Sequence, residues 1–498
     1  MEEIEITPTI RTEIERYLKQ NGITLTEFGH IIDLNVGTVS GIVTGNRSIS
    51  VNQLDRITAG MKLPPDHFYE RYIEECIIES ALNWRKISPF LYRCVELGRL
   101  DCIKRVVSLL LDTPIYIPLL FEMAEDLFQK EFLDAADCLY ENVAESERKQ
   151  HSERLAICQY RLFSLRIGKD QAQNLQTAAR FEVFVDRLNE ADQLDALKDL
   201  ANVYRSLSMW DKVYKFSSQM HRLGEIQYHL IYHSKKEKEF KNKLRSGPLF
   251  AYIAYAKLMC AHACDAKGNH KEALEHIQGY ADLSWVKESD DESLYWKNQF
   301  QQWAKINIYV NKLMSGDISA LPDYVEHISG EKHIFAELLN VVEVANRYHI
   351  DIDHILQRFE PQIAAYREPE HTNSLAEQQV LLEEAVRFWY KLAKYNLFKE
   401  RYLYGFKCLI EALKKSGIIN HALLISNCAG LFFRFSEYAD PETQAQISSA
   451  YEEVWKKMIK KMALVLATIS FLLVFALPVP TGIPSSSTIE VQGHIGSF

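Results

Sequence analysis

The sequence predicts an all-α protein, on three observations: scarce helix breakers, apolar residues spaced at helical period almost throughout, and helical pairs separated by short breaks. The 20 glycines and 14 prolines make up about 7% of the 498 residues, against about 12% in average usage, leaving few tight turns. Apolar residues account for 47% and charged residues for 25%, the balance of a folded soluble chain and not of a disordered or multi-span membrane one. Lys and Arg number 57 against 67 Asp and Glu, a net charge of −10, so no global positive field draws the chain to nucleic acid. Any DNA contact must be local. The nine cysteines are odd in number and scattered through apolar patterns, as reduced core residues of a cytosolic protein are. Cys260 and Cys264 lie one helical turn apart with His262 between them, but no second pair follows at zinc spacing. No metal and no cofactor is expected. Glu2, Glu3 and Glu5 stand where a secretory signal carries basic residues, so the bulk of the chain is expected in the cytoplasm.

The first helix runs from Arg11 to Gln20, with Ile14, Tyr17 and Leu18 on one face, and Asn21-Gly22 ends it. Thr24 and Glu27 have capping-box spacing for a second helix whose apolar face is Phe28, Ile31 and Ile32. The chain turns at Asp33-Leu34. Asn35 then caps a third helix, Val36 to Val43, with Val39 and Ile42 inward and Thr38 and Ser40 outward. Gly45-Asn46 closes it, and a fourth helix from Val51 to Met61 turns Leu54, Ile57 and Thr58 inward before Leu63-Pro64-Pro65 stops it. Four short helices with a tight turn between the second and third form a helix-turn-helix layout over residues 1–72, in which the later helix enters the major groove.

Thr24 to Gly45, TLTEFGHIIDLNVGTVSGIVTG, resembles the Cro/C1-type repressor domain at Phe28, Gly29, Ile32, Leu34, Asn35, Val39, Ser40, Ile42 and Gly45. The resemblance implies that Asn35 to Ile42 is a DNA-recognition helix. Val36, Gly37, Thr38 and Gly41 would lie nearest the bases, with Ser40, Asn46 and Arg47 at phosphates. Gly37 and Gly41 offer no side chain to a base edge, whereas Val36 and Thr38 suit thymine methyls. Over residues 1–72 seven basic residues face ten acidic ones, a net of −3, although DNA-binding modules are typically basic. That balance keeps open a second reading, a docking or dimer element that never touches DNA.

Residues 76–458 show helix after helix. Cys260 to Tyr280, CAHACDAKGNHKEALEHIQGY, resembles a tetratricopeptide repeat, with Ala261 and Ala273 at the small positions, Gly268 at the turn, and Ile277 and Tyr280 closing the core. Leu200, Ala201, Tyr204, Trp210, Val213 and Met220 trace a second unit. Phe90 to Ile103, Met123 to Tyr140 and Trp389 to Ala412 trace three more. Units of this kind bury their apolar faces only by stacking, so an α-solenoid with a peptide-binding groove is expected. Breaks at Lys287 to Ser293, Arg367 to Ser374 and Ser436 to Pro441 are expected loops. Lys235 to Arg245 is interleaved with glutamates and reads as a solvated helix face. In repeat register, the groove-facing positions are Asn202 and Arg205, then His262 and Asp265. Asn298, Gln302 and Asn311 follow in the next helical stretch. An Asn amide can hold a ligand's backbone N–H and C=O together, and Arg suits a carboxylate. No phosphate loop, no G-x-S-x-G and no H-E-x-x-H occurs, so no enzyme is expected.

Residues 459–498 form a different segment. Lys456, Lys457, Lys460 and Lys461 precede Met462 to Leu477, sixteen residues without a charge, and a Pro- and Ser-rich end follows. A membrane anchor, a capping helix of the solenoid and a secretory signal with Val474-Phe475-Ala476 as cleavage site all fit this pattern. A Cro/C1-type domain followed by tetratricopeptide-like repeats resembles the RRNPP group of peptide-pheromone receptors, to which phage arbitrium receptors are similar. The resemblance implies a homodimeric transcriptional regulator that binds a double-stranded DNA operator under control of a short signalling peptide. Such receptors are commonly encoded beside a secreted precursor, and Ser485 to Phe498, SSSTIEVQGHIGSF, would be the peptide-bearing end. Rivals are a protein-interaction scaffold and a sensor tethered to membrane through Met462 to Leu477.

Overall fold

The computed structural model describes residues 8–79, 81–148, 152–233, 247–329, 334–364 and 375–457. Among them every regular element is helical. The chain divides into two compact units, Met1–Ile334 with Asp353–Leu382, and Phe335–Ile352 with Glu383–Phe498. The Met462 to Leu477 and Ser485 to Phe498 segments and Lys235 to Arg245 lie outside the described residues, as does Arg367 to Ser374. Among the described residues no helix is long and apolar enough to cross a membrane.

The first unit opens with α1 (Ile10–Asn21), α2 (Leu25–Ile31), α3 (Val36–Val43) and α4 (Val51–Gly60). Thr24 and Glu27 cap α2 reciprocally, and Ser50 and Gln53 cap α4 in the same way, satisfying amides that a helix start leaves without partners. Between α2 and α3 the chain turns through Asp33 at φ 51°, and the Leu34 N–H donates to the Gly29 carbonyl at 2.9 Å. A Cβ on Gly29 would lie 2.9 Å from that Leu34 carbonyl oxygen, so only glycine fits the turn's close approach. Ile14, Leu18, Phe28, Ile32, Val39, Ile42, Leu54 and Ile57 are buried together. Ile31, expected on the same face, is 55% exposed. The buried stripe of α2 runs through Phe28 and Ile32, and Ile31 sits about 100° off Ile32 around the helix.

α5 (Tyr69–Tyr72) continues into a π-helical turn, Ile73–Ile78, and then α6 (Trp84–Glu96) and α7 (Leu100–Leu111) form the first helical hairpin. Tyr69 and Tyr72 pack their rings on Phe90 of α6 at 5.0 and 5.1 Å. Arg93 pairs with Asp55 of α4 at 2.9 Å, Arg99 with Asp66 at 2.6 Å and Glu70 at 3.1 Å, and Arg105 with Glu70 at 2.6 Å. The Ile10 N–H donates to the Glu75 carboxylate at 2.9 Å. One cluster of buried apolar residues takes in described residues from Ile10 to Leu162.

Further hairpins follow: α8 (Ile117–Gln129) with α9 (Leu133–Ser146), α10 (Glu153–Arg166) with α11 (Gln171–Phe181), and α12 (Glu190–Ser206) with α13 (Trp210–His233). Beyond them come α14 (Leu249–Ala266) with α15 (His270–Ala281), and α16 (Asp291–Met314) with α17 (Leu321–Ile328). Each helix packs on the next, and α14 also touches α12 and α16, as stacking of successive hairpins requires. Helix α10 joins two cores: Leu155, Cys158 and Leu162 face the first, and Ala156, Tyr160 and Phe163 face the second. The expected small and closing residues Ala261, Ala273, Ile277 and Tyr280 are buried. Leu133, expected in the core of its unit, is 45% exposed at the start of α9.

Five of these hairpins turn the same way. A residue in the left-handed region sits at Gly98, Glu131, Ser208, Gly268 and Gly316, and the next N–H reaches back five residues to a carbonyl. These bonds run from Arg99 to Cys94, Phe132 to Leu127, Met209 to Tyr204, Asn269 to Cys264 and Asp317 to Lys312, at 2.8 to 3.0 Å. This is the Schellman closure of a helix end.

The second unit holds most of α18 (Ile334–Tyr348), the latter part of α21 (Leu375–Phe398), α22 (Tyr402–Ile418), α23 (Ala422–Phe435) and a helix over 441–457. The short helices α19 (Asp353–Arg358) and α20 (Glu360–Ala364) belong to the first unit. The same closure recurs at Glu400 and Asn420. Gly405 lies where a Cβ would meet Leu397, and Lys391 pairs with Glu343 at 2.6 Å.

Candidate nucleic-acid interface and ligand-facing polar row

Helix α3 carries most of the residues expected at DNA. Asn35 accepts the Gly37 N–H at 2.8 Å through its side-chain oxygen and so starts the helix. Val39 and Ile42 anchor α3 in the core, which leaves Val36 and Gly37 exposed and Thr38, Ser40 and Gly41 half-buried. The exposed Arg47 folds back over this face. Its N–H donates to the Gly41 carbonyl at 2.9 Å, and its guanidinium donates to the Thr38 hydroxyl at 3.2 Å. A Cβ on Gly41 would come within 3.3 Å of the Arg47 Cβ, so this glycine makes room for the cation. Asn46 is exposed and donates to the Thr44 hydroxyl at 3.1 Å. The surface therefore offers a methyl-bearing edge, Val36 and Thr38, beside one guanidinium, the pairing that suits thymine methyls and a phosphate.

The second cluster crosses α10, α12, α14 and α16. Asp195, Asp199, Asn202 and Arg205 follow one another every three or four residues along one face of α12. Tyr160 of α10 donates to Asp199 at 2.9 Å, and Tyr252 and Tyr255 of α14 donate to Asp195 and Asn202 at 2.5 Å each. His262, two turns further along α14, shares a side-chain hydrogen bond with Asn307 of α16 and lies beside the Arg205 cation. Asn307 in turn donates to the Tyr280 hydroxyl at 2.8 Å. Asp199, Tyr255 and His262 sit deep in the molecule, yet each keeps some solvent contact. Burial pushes the Asp199 carboxyl and the Tyr255 hydroxyl up from their ordinary values. Burial, reinforced by Arg205, holds His262 down at about 3, so its imidazole is neutral at physiological pH.

Asn202, Arg205 and His262 are thus brought together. Asp265 and Asn311 meet further on, where Asn311 is buried and donates to Asp265 and to the His270 carbonyl at 2.8 Å each. Those bonds fix the α14–α15 turn onto α16. Asn298 and Gln302 are exposed on α16 and make no described contact with the row. The sequence reading missed Tyr160, Asp199, Tyr252, Tyr255 and Asn307. The repeat of polar residues at 195, 199 and 202 was a visible signal, whereas the tyrosines meet them only across helices.

Cys264, Glu272 and His276 bring potential ligand atoms within 4.8 Å of one another, a set able to hold a divalent ion. Tyr214 donates to Glu272 at 2.9 Å, and Cys260 bonds Ser218 instead. Comparison with models of known families and with curated proteins finds no match to this chain.

Proposed function

We propose that this chain is a homodimeric transcriptional regulator whose binding to operator DNA is controlled by a short peptide held on the polar row of its helical array. The observation that carries the reading is the shared core of described residues that joins the third helix, with Val36 and Gly37 exposed, to the first hairpins of the array. A ligand that changes how the array hairpins stack therefore also moves the DNA-facing helix.

The row suits a peptide. The Asn202 side-chain oxygen is occupied by Tyr255, and its amide N–H has no acceptor among the described residues, so it is available to a ligand carbonyl. Arg205 supplies the cation for a carboxylate, and the neutral His262 supplies shape and a hydrogen bond without charge. Leu403 (62% exposed), Phe433 (84%) and Trp455 (59%) leave apolar surface on α22, α23 and the last described helix, which a second copy would cover. The acidic balance of residues 1–72 favours the alternative, a scaffold that grips a protein partner and never touches DNA.

The test is binding of the full chain to its upstream DNA over a range of salt, with and without a synthetic Ser485–Phe498 peptide. A steep salt slope with a peptide-dependent affinity is the expected result. Absence of DNA binding at low salt in both conditions would favour the scaffold. Asn202→Ala is expected to weaken the peptide by about 1–3 kcal/mol in titration calorimetry while leaving peptide-free DNA binding intact.

A further inference from the structure

The junction between the first four helices and the array is crowded with cations, and their partners divide them into two sets. Arg93, Arg99 and Arg105 are each matched by carboxylates of the opposing side. Among the described residues the Arg47 and Lys86 side chains hydrogen-bond to hydroxyls and form no ion pair: Arg47 to Thr38 at 3.2 Å, and Lys86 to Ser48 at 3.4 Å. Lys86 belongs to α6, 38 residues beyond Ser48, yet it stands beside the turn that follows the DNA-facing helix. Both Lys86 and its neighbour Arg85 are exposed. Near the start of that turn the Arg11 guanidinium lies 3.3 Å from where a Cβ of Gly45 would be. Glu75, the carboxylate beside Arg11, is taken up by the Ile10 amide.

Lys86 is not there by a passing side-chain excursion. Asn83 caps α6 at the Arg85 N–H, Ile87 and Phe90 are buried, and Phe90 is held by Tyr69 and Tyr72. The Tyr72 hydroxyl in turn donates to the Ile49 carbonyl at 3.1 Å, which ties the start of α6 to the turn at 44–50. An exposed ammonium that among the described residues bonds to a hydroxyl alone keeps hydrogen-bond capacity for an anion, and a DNA phosphate is the anion that this surface would meet.

We propose that Lys86, a residue of the array, is a phosphate contact of the DNA-binding surface, extending the grip that begins at Arg47 across the junction. The local positive field absent from the composition of residues 1–72 is then completed from outside them. This inference rests on the DNA-binding reading given above.

The test uses the full-length protein and two probes, a labelled duplex of random sequence and one from its upstream DNA, titrated between 50 and 200 mM salt. Losing one phosphate contact lowers the salt slope by about 0.9, which shrinks the affinity ratio between those two salt concentrations by roughly threefold. Lys86→Ala is expected to show that loss equally on both duplexes, Lys86→Glu a larger one, and Lys86→Arg none. Circular dichroism confirming wild-type folding of the three variants makes the comparison direct. An unchanged slope in Lys86→Ala overturns the inference while leaving the DNA-binding reading standing. A wild-type chain with no salt-dependent DNA binding overturns both.

Discussion

His262 shows how one residue can sit among polar groups and stay electrostatically silent. Its imidazole is enclosed between α14 and α16, beside a guanidinium, and stays neutral to about pH 3, whereas in the unfolded chain it protonates near pH 6.5. A folded value below the unfolded one contributes stability that is complete above the unfolded value and is lost as pH falls toward the folded one. The sign is the same for His221 and His276, both lowered first by burial. Stability should therefore drop as pH falls from about 6.5 toward 3, and His262→Gln, which preserves an amide for Asn307, should flatten that drop. Denaturant midpoints of both proteins at pH 7 and pH 5 check it. An equal fall in the two proteins would mean that His262 is not the proton-excluding group.

At the scale of elements, the recurring left-handed helix closure explains both what the sequence reading found and what it missed. Gly98 and Gly268 were legible as turn residues because glycine is the residue that adopts positive φ at little cost. Glu131, Ser208 and Glu400 hold the same conformation at φ 63°, 56° and 60°, and nothing in their chemistry announces it. The units across α8, α12 and α21 were therefore traced from apolar spacing, with no residue that marks the turn. Burial was legible wherever period alone decides it, as at Val39, Ile42, Leu200 and Ile277. It was misjudged at Ile31 and Leu133, which lie at the edges of their helices' apolar stripes. The polar row was half legible: α12 displays its own spacing, but Tyr255 meets Asn202 from 53 positions away, a pairing that only tertiary stacking sets. A left-handed conformation costs a non-glycine residue about 1–2 kcal/mol, part of which glycine's extra chain entropy offsets. Ser208→Gly should accordingly stabilise the protein by about 0.5 kcal/mol, and Gly268→Ala should destabilise it by about 1 kcal/mol. Thermal unfolding of the two variants should move in opposite directions, and movement in the same direction would exclude the shared turn geometry.

At the scale of the whole molecule, the proposed coupling between a peptide on the polar row and DNA at α3 would depend on the stiffness of the path between them. Among the described residues of the first unit that path is a chain of packed elements: α4 meets α6 through Asp55 and Arg93, α5 meets α6 through aromatic rings and α7 through carboxylate–guanidinium pairs, and α10 joins the first core to the second. Exposed ion pairs are individually weak, but Arg99 engages Asp66, Glu70 and Asp101 at once from a partly buried position. It ties the turn after α4 and α5 to the start of α7. Arg99→Ala should therefore leave peptide affinity on the row unchanged and keep peptide-free DNA binding, while the factor by which the Ser485–Phe498 peptide alters DNA affinity falls toward one. Because coupling between two binding sites is reciprocal, the effect of DNA on peptide affinity should shrink by the same factor. Measuring both halves of that cycle in one buffer tests the junction itself. If the coupling survives in Arg99→Ala, the two sites communicate by a route other than the rigid seat of the first four helices on the array.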